Sequence, residues 1–223
     1  MVNRMDRILE PELMDEVEQG IAYAQADFSG PNIQFLNLFA EKFPDFSGNG
    51  KVLDLGCGPA DILVRFVQRY PGCQCVGIDG AEAMLAPGRE VVIRKNLSSS
   101  IDLRCQCLPI TGNEQKFQVI FSNSLLHHLH QPEILWQTIT HCGEPETLVL
   151  IMDLFRPQSK KEARRIVETY AGDEPEILQT DFYNSLLASF RVSEVREQLR
   201  QAGLVLDCEQ VSDRHLAVWG KLE

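Results

Sequence analysis

Asp54, Gly56, Gly58 and Asp79 are the residues whose types and spacing most constrain the chemistry of this chain. The stretch VLDLGCGPAD, from Val52 to Asp61, reads as a buried strand that turns on two glycines into a helix. Glycine at 56 and 58 permits a tight turn with no Cβ between the backbone and a ligand. The helix expected from about Ala60 points its unpaired N–H groups and partly positive end at that ligand. A second expected strand, Cys75 to Ile78, ends in Asp79, 23 positions beyond Gly56. A carboxylate about that far along a βαβ unit accepts both hydroxyls of a ribose. The parts together describe a site for a nucleotide-type cofactor.

Two cofactor classes fit that outline. Nicotinamide and flavin sites use a third glycine where a pyrophosphate settles on the helix end. Here the third position is Asp61, whose charge repels a pyrophosphate, and Asp54 adds negative charge beside the turn. Such charge suits a cofactor end that carries an amine. The stretch resembles motif I of the class I S-adenosylmethionine (SAM) methyltransferases, in which an acidic residue precedes Gly-x-Gly without a third glycine. The resemblance implies SAM as cofactor, S-adenosylhomocysteine as product, and Asp54, Gly56, Gly58, Asp79, Gly80 and Met84 as cofactor contacts.

The segment VIFSNSLLHHL, from Val119 to Leu129, resembles the family's fourth motif and the Leu-His-His-Leu stretch that often follows. Carried over, Asn123 and Ser124 lie beside the methionine part of SAM, and His127 and His128 lie near the methyl group. His128 is the candidate general base, with a structural histidine as the alternative. Two departures matter. Ser122-Asn123-Ser124-Leu125 lacks the prolines and stacking aromatic of Asn-Pro-Pro-Tyr, which argues against chemistry on a flipped base. The family's adenine-binding Asp after the third strand is also missing, leaving Gln106, Cys107 and Leu108 to hold the adenine. A metal on the histidines is not expected, because adjacent side chains diverge and no further Cys/His cluster completes a shell.

Asp153, at the end of the fifth expected strand, is the leading candidate for substrate contact or base; an ion pair with Arg156 or Arg214 is the alternative. Arg156, Arg214 and His215 suit an acidic acceptor such as a carboxylate. The inserted helices supply Tyr170, Tyr183 and Asn184, which in relatives commonly shape the acceptor pocket. Tyr23 and Phe28 fall where the N-terminal helices of this family fold over the cofactor; core packing is the alternative for both.

These residues need a scaffold. Expected helices run from about Pro11 to Ala26 and Ile33 to Phe43, separated by Ser29-Gly30-Pro31-Asn32. Another runs from Ala81 to Asn96, interrupted at Pro87-Gly88, and one runs near Gln131 to Thr140. Strands follow at Ile101 to Cys105, Phe117 to Ser122 and Thr147 to Met152. A helical insert covers 155–190. A helix from Ser193, half of a capping box, ends at Gly203, and a hairpin of Val205 to Val211 and His215 to Trp219 closes the chain. The alternation predicts an α/β fold: a doubly wound, seven-stranded, mostly parallel sheet with an antiparallel last strand. N-terminal helices and the helical insert before the final helix and hairpin complete it. Residues 1–223 read as a single domain, with 1–50 a helical lid and 155–190 shaping the acceptor pocket.

A formal net charge of −11 makes nucleic acid a poor partner, since an acidic surface repels phosphate. No 18-residue apolar run or signal-peptide pattern is visible, so no membrane association is expected. Seven cysteines without a C-x-x-C pair read as reduced thiols in a cytoplasmic protein. The expected function is methyl transfer from SAM to a small molecule, at oxygen or nitrogen. The alternatives are a protein or tRNA methyltransferase and a non-catalytic SAM-fold binding module.

Overall fold

The computed structural model describes residues 5–11, 28–110, 112 and 115–223. Seven strands form one sheet: β1 (Asn49–Leu55), β2 (Gly72–Asp79), β3 (Ile101–Cys105), β4 (Val119–Asn123), β5 (Leu148–Leu154), β6 (Asp207–Gln210) and β7 (His215–Lys221). Their order is β3-β2-β1-β4-β5-β7-β6. The pairs from β3 through β5 are parallel, and β7 runs antiparallel to both β5 and β6. The strand order reverses between β1 and β4, so the crevice for a ligand opens at their carboxyl ends.

Alternate residues along each strand serve opposite faces. Val52, Phe121 and Leu150 pack against α1 (Ser29–Lys42), α2 (Asp61–Arg69) and α3 (Glu82–Arg94). Leu53, Ile120 and Val149 pack against α4 (Glu133–Cys142) and α7 (Val192–Ala202). A smaller cluster joins α5 (Lys160–Ala171) to α6 (Glu176–Ala188) beneath Leu154. Phe39 anchors the first face: fully buried, it lies 5.1 Å from the rings of both Phe43 and Phe66. Truncating such a residue costs about 3–5 kcal/mol. No helix among the described residues is long and apolar enough to cross a membrane.

Several local expectations are corrected. The first N-terminal helix lies outside the described residues apart from Pro11. Ser29-Gly30-Pro31-Asn32 is the first turn of α1 and not a break, because a proline in the first turn gives up an N–H that has no partner there anyway. Likewise α3 runs unbroken through Pro87-Gly88. A Cβ at Gly88 would meet the Pro59 carbonyl oxygen at 2.8 Å, so this glycine admits close packing against the β1–α2 turn. The cap of α7 is Arg191, whose backbone N–H donates to Glu194 Oε2 at 2.9 Å, and not Ser193. Gly203 ends that helix at φ 69° as expected.

Candidate active site

The turn after β1 is held by backbone. Gly56 and Cys57 both donate their N–H to the Ile78 carbonyl, at 2.8 and 3.0 Å. Gly56 and Gly58 take φ values of 74° and 49°, which favour glycine. A Cβ at Gly56 would lie 2.9 Å from Leu125 Cδ1, so the residue after β4's turn presses directly on the bend. Asp79 joins the two loops: Oδ2 accepts from Gly58 N–H and Oδ1 from Ala81 N–H, both at 2.9 Å. Burial raises its pKa against the pull of those hydrogen bonds. Asp54, almost fully buried on the same wall, is held well above the usual carboxylate range by burial and by Asp79.

Two buried carboxyls disfavouring each other's charge form a receptor for a cation. The Asn123 Oδ1 on the facing wall is buried without a hydrogen-bond partner. An α-ammonium group fits beside Asp54, while the second lone pairs of the Asp79 oxygens remain for hydroxyl donors. Asp61, also on the wall, accepts from Arg65 Nε and Asn32 Nδ2, each at 2.7 Å. That pairing ties α1 to the glycine turn.

One cavity of about 640 Å³ gathers the expected cofactor residues Asp54, Gly56, Gly58, Asp79, Gly80, Met84, Cys107, Leu108, Asn123 and Ser124. Gln106 joins them, its N–H on the Asp79 carbonyl at 2.9 Å. The same cavity continues to Phe28, His127, His128, Arg214 and His215. At that end Tyr170 donates its hydroxyl to Asp213 Oδ2 at 2.8 Å, and the Arg214 guanidinium lies 3.4 Å above its ring. Ser212 Oγ lies 2.9 Å from His215 Nδ1 and accepts the backbone N–H of Arg214 and His215. Burial and Arg214 push the His215 pKa down to about 4, so its imidazole is neutral at pH 7.

The other expected site residues lie elsewhere. Asp153 is not on the cavity wall: its carboxylate accepts from His127 Nδ1 and from the backbone N–H of His127 and Leu154. It therefore acts on the cavity only through His127. Burial opposes ionisation of both partners, but their mutual charge and hydrogen bond prevail, raising the His127 pKa and lowering that of Asp153. Arg156 is buried behind the wall, paired with Glu194 because the chain leaving β5 runs beneath α7. Tyr183 faces the α5–α6 cluster with Arg164 over its ring, and Asn184 is exposed. Tyr23 lies outside the described residues.

Leu178, Phe182 and Ser185 do reach the cavity from α6. Their i, i+4, i+7 spacing is a helical stripe, a signal the sequence carried, and Tyr183 misses it by one residue, about 100° of rotation. His128 is a weak base: burial and His127 push its pKa down to about 3. The two histidine rings do not diverge, their centroids lying 4.2 Å apart at 35°. Glu10, with Oε1 3.3 Å from His128 Nδ1, had no signal in the sequence.

Comparison with known proteins agrees with this geometry. Residues 24–209 match a family model described as a methyltransferase domain. A trans-aconitate 2-methyltransferase of Variovorax paradoxus is 48% identical over 126 residues, 56% of this chain and 46% of that protein. A malonyl-[acyl-carrier protein] O-methyltransferase of Bacillus cytotoxicus is 27% identical over 120 residues, 53% and 40% of the two chains. The matched stretch thus spans less than half of each of these relatives. Among solved structures, a SAM-dependent methyltransferase from Aquifex aeolicus superposes with a TM-score of 0.70 at 17% identity, covering 93% and 99% of the chains. The plantazolicin methyltransferase BpumL, solved with SAH, gives 0.70 at 14% identity over 92% and 91%. These likenesses show the seven-stranded fold.

Proposed function

The chain belongs to the methyltransferase-domain family, and on that premise we propose that it transfers the methyl group of SAM to a small-molecule acceptor, at oxygen or nitrogen. One observation carries the reading: the paired carboxylates and the glycine turn share a single cavity with Leu178, Phe182 and Ser185 of α6 and with Arg214 and His215. The volume of about 640 Å³ suits a cofactor with a small acceptor beside it better than a protein or tRNA. A binding module without chemistry has no need of Gly56 and Asp79 in this geometry.

Bound SAM supplies an electrophilic methyl on a good leaving group, so the protein's task is alignment and exclusion of water. Asp79 takes the ribose hydroxyls, Asp54 and Asn123 the amino-acid end, and Gln106, Cys107 and Leu108 the adenine. Gly80 and Met84 line the nucleoside between them, and Ser124, with its N–H on the Met152 carbonyl, turns the chain beneath the methionine part. Phe28, Phe182 and Leu178 keep the acceptor compartment dry. Arg214 and His215 hold the acceptor's polar end; the carboxylate-bearing names of the two curated relatives support an acidic acceptor. With its pKa pushed down to about 3, His128 is a poor base for an acceptor atom that carries a proton.

Residues 1–223 form one domain, with 1–50 folding over the cofactor and 155–190 shaping the acceptor compartment. Phe28, Ser29 and Asn32 on the cavity wall support the first assignment, and Tyr170 and Phe182 the second. All seven cysteines are free, which supports a cytoplasmic location. Isothermal titration of the folded protein with SAM and S-adenosylhomocysteine tests the whole reading. Binding of both is expected, and binding of neither overturns it.

A further inference from the structure

Beside the cavity, three side-chain acceptors face one another. Glu10 Oε1 lies 3.3 Å from His128 Nδ1 and 3.6 Å from His127 Nε2. Their other hydrogen bonds fix which atoms point inward. His127 Nδ1 is taken up by Asp153, so Nε2 is the ring nitrogen that faces Glu10. The His128 ring donates to the Pro11 carbonyl, and because its Nδ1 has no hydrogen-bond partner, that bond falls to Nε2. His128 Nδ1 therefore also faces Glu10. Glu10 Oε2 accepts from Ser185 Oγ, while Oε1 is buried without a partner. Two imidazole nitrogens and a carboxylate oxygen thus lie within 4.8 Å of one another, and Glu10 Oε1 and His128 Nδ1 are buried without a hydrogen-bond partner; buried polar atoms left so are costly.

We propose that Glu10, His127 and His128 form a site for a divalent cation of the zinc class. The separations of Glu10 Oε1 from the two ring nitrogens, 3.3 and 3.6 Å, lie near the edge of a tetrahedron, about 3.3 Å for bonds of ~2.0–2.1 Å, and the third separation is within 4.8 Å. Two nitrogens and one oxygen suit zinc and its neighbours better than magnesium or calcium. Asp153 on the far nitrogen of His127, and Pro11 on that of His128, supply the outer hydrogen bonds that orient metal-binding imidazoles. The nearby Arg7 is committed to the carbonyls of His127, Leu129 and Ala188, so Glu10 is left for another cation. Both histidines line the cavity, so the fourth coordination position opens toward it, as in sites with three protein ligands that keep one position free.

The test is metal binding by the full chain, stripped with chelator and titrated with zinc against a chromophoric competitor. One equivalent is expected. Affinity should fall about 10–100-fold in Asp153→Asn, and by more in Glu10→Gln and in His128→Asn. Far-UV circular dichroism and SAM titration establish that each variant is folded, and keep this question separate from that of the cofactor. Substituted cobalt should give the visible bands of a low-coordinate ion with no thiolate charge-transfer band. A thiolate band, affinity unchanged in both ligand variants, or no binding by the folded wild-type chain overturns the proposal. In the last case the occupant is a proton shared by Glu10 and His127.

Discussion

The two ends of the cavity are built from different materials. At the glycine end the wall is backbone, with Gly56 and Gly58 at positive φ and their N–H groups fixed to Ile78 and Asp79. At the other end the wall is side chain, with Tyr170, Phe182, His127 and Arg214 arriving from segments far apart in sequence. A backbone wall admits one ligand shape and tolerates little change. A side-chain wall is altered by substitution without refolding, so under the proposed function it is where acceptor choice would be set.

The strongest challenge to this contrast is Gly56→Ala. Its new Cβ would sit 2.9–3.1 Å from three Leu125 atoms at a φ of 74°. Titration should show SAM affinity lost more than about 100-fold, with stability reduced by about 1–3 kcal/mol. Asp79→Ala should follow, weakening SAM by about 10–100-fold through loss of charge-assisted hydrogen bonds. At the opposite end, Arg214→Ala should raise the acceptor KM by about 10-fold, the lower end of the range for a hydrogen bond to a charged group, while the SAM Kd stays within about twofold. An Arg214→Ala variant that binds SAM poorly would break the contrast.

The smallest effect is in pH dependence, where His128 and His215 should differ in sign from the carboxyls of the glycine end. His215 titrates at about 4 and His128 at about 3 when folded, against ~6.5 unfolded. Below pH ~6.5 the unfolded chain therefore binds protons that the folded chain refuses, and these histidines destabilise the fold as pH falls toward 4. Asp54 and Asp79, with raised values, act oppositely: the folded state takes up protons first, so acidification relieves their cost. His127 also has a raised value, so its contribution is complete below pH ~6.5 and lost as pH rises through its folded value. Melting of His215→Phe between pH 6.5 and 4 should fall less steeply than wild type, by several degrees, at ~2–4 °C per kcal/mol for a chain of this size.

What the sequence revealed follows the same division. The glycine turn and Asp79 were legible because their geometry is local: a strand, a bend and a carboxylate at a set spacing. The mostly parallel, doubly wound sheet followed from alternation, its antiparallel end from the short last connection, and β3 was placed to the residue. Arg156 misled because its nearness to the strand end in sequence says nothing of Glu194, 38 positions on, which captures it beneath α7. Tyr183 misled by a single helical step. Glu10 was invisible, since its partners His127 and His128 are brought to it only by tertiary packing. Asp153 was placed at the correct strand end, yet its role depends on which way one imidazole turns.

Arg7 bonds to carbonyls from two distant stretches, at 127–129 and 188, and its guanidinium lies 3.9 Å above the Phe190 ring. It works as a keystone near the front of the chain, locking masonry laid down more than a hundred residues later. A chain shortened past it would keep the glycine turn and Asp79 yet leave the carbonyls at 127, 129 and 188 without this donor, so ligand capture alone is an unsafe guide when trimming this protein.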